Sequence, residues 1–248
     1  MKEKSVFFNP FRMLSPGLNA RAIRLEDLHT RPVSEPIPLQ EGLLVMCSKI
    51  IEIIGLLSKC VVSGSEKQMD ACESLANEVH EQEKVLTTDL VYSKLTPEMR
   101  KGLIRFPYRI ERIGDMLEDI LHCCRLKAHK GFAFTDKAYV ELDQLFGILV
   151  VMMTNLRDAL VTPNKVLLER IITRSNKLGD MLLDSRFAHW GRLEGGFCSP
   201  LSSSAYLAIL DSMTAINEYL KKIAVTLIEL GTTSTPDEAD KRNSKNNE

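Results

Sequence analysis

Most of this chain consists of long segments in which apolar residues recur every three to four positions, with proline or glycine falling between the segments. That spacing places the apolar residues on one stripe of an α-helix. Almost nothing follows the two-residue period of a half-buried strand, so the fold class is all-α. The first helix is expected from about Leu39 to Val62, ending at "SGS", and the second from about Glu66 to Leu95. "TPE" restarts the chain with Thr96 as N-cap and Pro97 at the first helical position. The third helix is expected to continue to about Lys127 and to bend at Pro107, whose ring cannot donate to the carbonyl of Leu103. "KGFAFTD" then separates two halves. A fourth helix is expected from about Asp136 to Val161, a fifth starts at the second "TPN" (Thr162, Pro163), and a sixth runs from about Ser203 to Leu230.

Six long helices in two sets of three give two tandem three-helix bundles, spectrin-repeat-like in outline. The expected division is an N-terminal arm at 1–38, a first unit at 39–132, a second unit at 133–231 and a disordered polar tail at 232–248. The arm holds Pro10, Pro16, Pro32, Pro36 and Pro38, which exclude a long helix. Within it, "RAIRLEDL" has the pattern of a short amphipathic helix that docks on a partner or a second subunit. The third and sixth helices align without gaps at an offset of 103 residues: Ile110, Ile113, Leu117, Ile120 and Cys124 fall on Met213, Ile216, Leu220, Ile223 and Leu227.

The formal net charge of -1 gives no electrostatic reason to expect nucleic acid or an anionic membrane as a direct partner. The longest apolar run, "ILVVMM", falls far short of the roughly 20 residues that span a bilayer. No secretory h-region is visible at the start, and a cytoplasmic chain is expected. Cys47, Cys60, Cys72, Cys123, Cys124 and Cys198 form no C-x-x-C pair and read as reduced core thiols. No G-x-S-x-G, P-loop or zincin helix is present.

The chemistry concentrates in "RIERIGDMLED", residues 109–119. With Ile110, Ile113, Leu117 and Ile120 inward, Glu111, Asp115, Glu118 and His122 fall within roughly 60 degrees of one another on a different side of the helix. Like charges one turn apart repel by a few tenths of a kcal/mol per pair, a cost offset by arginines such as Arg105, Arg112 and Arg125 or by a bound cation. From spacing alone these carboxylates read first as a solvated acidic face with surface ion pairs, and second as ligands of a hard or borderline metal ion. Gly114 in mid-helix costs roughly 1 kcal/mol relative to alanine, which implies close packing there.

"ERIGD" in the last helix of a three-helix unit resembles the hallmark of the PhoU family of phosphate-uptake regulators, and the chain is similar to a divergent member over about residues 39–231. The resemblance implies two tandem three-helix bundles whose E/D-x-x-x-D motifs bind multinuclear metal clusters. Iron or zinc is the usual metal, with magnesium or manganese as alternatives. The match at Glu111 and Asp115 is complete, and on the second helix Glu83 matches the first acid while Thr87 stands at its partner position. In the second unit, Asn176 and Asp180 fall on one motif, and Thr214 and Glu218 on the other. The implied first site is Glu111, Asp115 and Glu83, helped by Glu118 or His122. The implied second site, Asp180, Glu218, Asn176 and Thr214, is weak or empty.

By the same resemblance, the expected function is that of a non-catalytic regulator of phosphate uptake and signalling. Its implied partners are a phosphate transporter, a two-component sensor kinase, or both, with a homodimer as the assembly and membrane association only through partners. Two other readings stay open. One is a carboxylate-bridged metalloenzyme or metal-binding bundle, although the chain has a single E-x-x-H, Glu26 to His29. The other is a metal-free helical dimerisation adaptor.

Overall fold

The computed structural model describes residues 39–162 and 164–233. The arm, with "RAIRLEDL" and Glu26 to His29, lies outside the described residues, as do Pro163 and residues 234–248. Seven helices are described: α1 (Leu39–Ser63), α2 (Glu66–Tyr92), α3 (Pro97–Leu103), α4 (Arg105–Lys130), α5 (Asp136–Val161), α6 (Lys165–Glu194) and α7 (Pro200–Thr233). Among the described residues there is no strand.

Local chemistry sets most of the ends. α4 stops at Gly131, whose φ of 66° suits glycine, with its N–H donating to the Lys127 carbonyl. The Thr135 hydroxyl accepts from the Ala138 N–H and opens α5. Three ends differ from the sequence expectation. α6 is capped by Asn164, whose side chain accepts from the Val166 N–H, while Thr162 closes α5. α7 starts at Pro200, three residues early, because the Ser199 hydroxyl accepts from the Ser202 N–H and proline fits the first helical position. It also runs through Thr233, so 232–233 is helix rather than tail.

A further departure lies near Pro107. The helical ladder is interrupted at Ile104, three residues before Pro107, which separates α3 from α4. In a continuous helix the Pro107 ring would meet the Leu103 carbonyl. As the third residue of a new helix it occupies a position whose N–H has no intrahelical acceptor, so nothing is lost.

α1, α2 and α4 pack together as one three-helix bundle, and α5, α6 and α7 as the other. α1 lies on α5 and α4 on α7, so one continuous apolar core runs through both bundles. The aligned stripes are both interior: Ile113, Leu117 and Ile120 are buried, as are Ile216, Leu220 and Ile223. Cys47, Cys60, Cys72, Cys123 and Cys124 are buried free thiols, and Cys198 is partly exposed. Burial pushes Cys47, Cys72 and Cys124 up to about 12, so they stay protonated and unreactive at neutral pH. α5 is the one described helix long and apolar enough to cross a membrane, but it packs on α1, α6 and α7.

Candidate functional site

α2 and α4 run side by side because each turns an apolar stripe to α1 and to the other. Gly114 of α4 faces Val79 of α2 and Ile50 of α1, both 3.6 Å from where a Cβ would stand. The missing side chain leaves a cavity of about 160 Å³ lined by Ala76, Val79, His80, Glu111, Gly114, Asp115 and Glu118.

Three of the residues singled out from the sequence, Glu111, Asp115 and Glu118, therefore meet around one cavity. Their surroundings differ. Glu111 Oε1 lies 3.2 Å from His80 Nδ1. Asp115 forms an ion pair with Arg112, one of the arginines expected to offset the ridge. Arg125 instead turns to α2, its Nη2 lying 3.0 Å from Asp70 Oδ1 and 2.6 Å from Glu73 Oε2. Glu118 has no ion-pair partner among the described residues. Desolvation, followed by the charge of Asp115, pushes the carboxyl groups of both Glu111 and Glu118 above the usual range. The cavity thus carries more negative charge than its neighbours neutralise.

Two other expected ligands are not brought to it. Glu83 lies near enough for its charge to act on Glu111, yet its carboxylate accepts from the Thr87 hydroxyl at 2.6 Å and does not line the cavity. His122 is exposed and stands outside. The imidazole that does face the acids is His80, from the other helix. Among the described residues, no three His, Cys, Asp or Glu side chains come together as a ready-made metal cage. The donor types nonetheless suit a hard or borderline cation, and the cavity could admit one provided that Arg112 releases Asp115.

The second unit has a different solution at the matching place. At the 103-residue offset Gly114 corresponds to Asn217, and Glu118 to Lys221. At an offset of 99, the buried residues Met69, Cys72, Ala76, Val79, Leu86 and Leu90 of α2 fall on Leu168, Ile171, Ser175, Leu178, Ser185 and His189 of α6, all buried. That register sets His80 against Gly179 and Glu83 against Leu182, rather than pairing Glu83 with Asn176. Asn217 is buried and its Nδ2 donates to the Ser175 carbonyl at 3.0 Å, in room left by Gly179. Lys221 Nζ donates to Asn176 Oδ1 at 3.0 Å, and the Thr214 hydroxyl donates to the Leu210 carbonyl at 2.7 Å. Of the expected second set, Asn176 and Thr214 are thus engaged by protein groups, while Asp180 stays exposed. A side chain and a cation occupy what is an anionic cavity in the first unit.

The crowding of carboxylates makes a direct prediction. A group whose folded pKa is raised weakens the fold when ionised, and that penalty disappears as pH falls through the raised value. Glu118→Gln, in chelator, is therefore expected to unfold at a higher temperature than the parent at pH 7, the gap closing towards pH 4.5, the ordinary glutamate value. Melting curves across that range check this. A variant less stable at pH 7 would mean that the charge is neutralised by the protein itself.

The chain's shape matches solved structures across most of its length. The crystal structure of PhoU from Pseudomonas aeruginosa superposes with a TM-score of 0.72 at 12% identity, covering 79% of this chain and 96% of that one. The phosphate transport system regulatory protein PhoU from Streptococcus pneumoniae gives 0.68 at 13% identity, covering 86% and 100%. A PhoU-like protein from Shewanella oneidensis gives 0.55 at 12%, covering 79% and 99%. No protein-family profile and no curated protein sequence matches the chain. The fold is that of PhoU.

Proposed function

We propose that this chain is a non-catalytic regulator of phosphate uptake and phosphate signalling that works by binding other proteins at the cytoplasmic face. The observation that carries the reading is the likeness of both bundles together, rather than one alone, to a phosphate transport system regulatory protein. In this reading its partners are a phosphate transporter, a sensor kinase or both, and it acts as a homodimer. Glu111, Asp115, Glu118 and His80 would hold a divalent or trivalent metal ion, iron or zinc first and magnesium or manganese next, on the first unit only. A bound cation would neutralise the acidic cavity and fix α2 against α4, changing the surface that a partner meets.

Metal analysis of protein purified without chelator tests the metal part. The parent is expected to carry stoichiometric metal, and Glu111→Ala with Asp115→Ala to carry background only. Background metal in the parent would favour the metal-free adaptor, a reading supported by the Arg112 to Asp115 pair. Phosphate uptake in cells lacking the chain tests the regulatory part. Uptake is expected to lose its repression by external phosphate; unchanged repression would rule out the regulatory role.

A further inference from the structure

A second concave surface, sharing no lining residue with the acidic cavity, lies between α5 and α6. Its floor is apolar, made of Gly147, Ile148 and Val151 on α5 and Met181 on α6, and it is walled by Gln144, Arg174 and Lys177 around a volume of about 430 Å³. Nothing lies within 4 Å of where a Cβ on Gly147 would stand, and Val151 is 40% exposed. Only 44% of the most apolar window of α5 is buried, and the groove is one of the places where its apolar surface meets solvent.

The wall is cationic. Arg170, Arg174 and Lys177 stand at i, i+4 and i+7 on α6, hence along one side of the helix. Elsewhere Lys49, Arg112, Arg125, Arg186 and Arg192 each have a carboxylate partner. Among the described residues these three have none. Three unpaired cations in a row repel one another; Arg174 and Lys177 border an apolar floor open to solvent, and Arg170 stands one turn beyond it on the same side of α6.

We propose that this groove receives an acidic amphipathic helix of a partner protein, its apolar side chains over Gly147, Val151 and Met181 and its carboxylates against Arg170, Arg174 and Lys177. The walls are helix side chains with no free backbone edge, so a strand would find no ladder, whereas a helix lays its apolar face into such a groove. The cation row selects carboxylates by charge complementarity and sets the orientation. A bilayer is the weaker match, because a continuous anionic plane would also cover the exposed Asp180 and Asp184 of the same helix, whereas a peptide can place its carboxylates opposite the cations alone. This inference stands on the groove and not on the phosphate reading.

The test uses the full chain and two fluorescent helical peptides of about 18 residues with the same leucine stripe, one flanked by glutamates and the other by lysines. The glutamate peptide is expected to bind at least tenfold more tightly in anisotropy titrations. Arg174→Glu with Lys177→Glu is expected to reverse that preference, and Val151→Asp to weaken both peptides. If the double charge reversal lowers the melting temperature, Arg174→Gln with Lys177→Gln replaces it, with loss of the preference as the expected result. Equal affinity for the two peptides, or a preference unchanged in the charge variants, would overturn the proposal. So would charge-dependent sedimentation of the chain with phosphatidylglycerol vesicles in the absence of any peptide preference.

Discussion

Arg192→Ala is expected to destabilise the chain by about 3 kcal/mol, the low end of what removing one partner of a buried pair costs. For a domain of this size that is a fall in melting temperature of roughly 6–12 °C. Arg192 is 9% exposed, and its two terminal nitrogens reach the two oxygens of Glu141 at 2.7 and 2.8 Å. The Tyr206 hydroxyl donates to the same carboxylate, and the Tyr206 ring lies 5.4 Å from the guanidinium and stacks on His189 at 4.8 Å. Alanine leaves the partly buried Glu141 charge with one hydroxyl for company. The forked geometry matters as well as the charge, so Arg192→Lys is expected to recover only part of the loss. Chemical denaturation of the three proteins measures this, and an alanine variant within about 0.5 kcal/mol of the parent would place the pair among surface bridges of little consequence.

This cluster also gives the second unit a pH dependence. Burial, followed by the charge of Arg192, pushes the His189 imidazole below its usual value. The unfolded chain therefore takes up that proton first as pH falls, and the contribution of this site declines below about pH 6.5.

How much of this was legible in the sequence depends on how many helices a feature needs. The periodicity of a single segment was enough to place the helices, and proline, glycine and the capping side chains were enough to end most of them. Asn164 and Ser199 were missed because Thr162 and the later serines offered rival caps a few residues away. The ridge of Glu111, Asp115 and Glu118 was legible because it follows from the spacing of one helix. His122 satisfies the same angular rule, but eleven residues on from Glu111 it lies roughly 16 Å further along the axis. That carries it past the end of the cavity. His80 was not legible, since its nearness to Glu111 depends on how α2 and α4 pair. The signal that does exist is indirect: Ala76, Val79 and His80 surround a mid-helix glycine, and the second unit exchanges Gly114 for Asn217 and His80 for Gly179.

The break at Ile104 was hidden for a related reason, and three substitutions just after it test the account. Phe106→Ala is expected to cost about 3–5 kcal/mol, the usual range for emptying a buried aromatic site. Phe106 is wholly buried in the first turn of α4 and begins the stripe that continues through Ile110, Ile113 and Leu117. Tyr108, two residues on and 53% exposed, is expected to tolerate alanine within about 0.5 kcal/mol. Pro107→Ala separates the two geometries. A proline inside a continuous helix costs about 3 kcal/mol against alanine, so its removal would be strongly stabilising if α3 and α4 were one bent helix. At the third position of a new helix there is no hydrogen bond to restore and no preceding turn to relieve. Pro107→Ala is therefore expected to shift stability by less than about 1 kcal/mol, and a gain near 3 would mean that the helix runs through Ile104 unbroken.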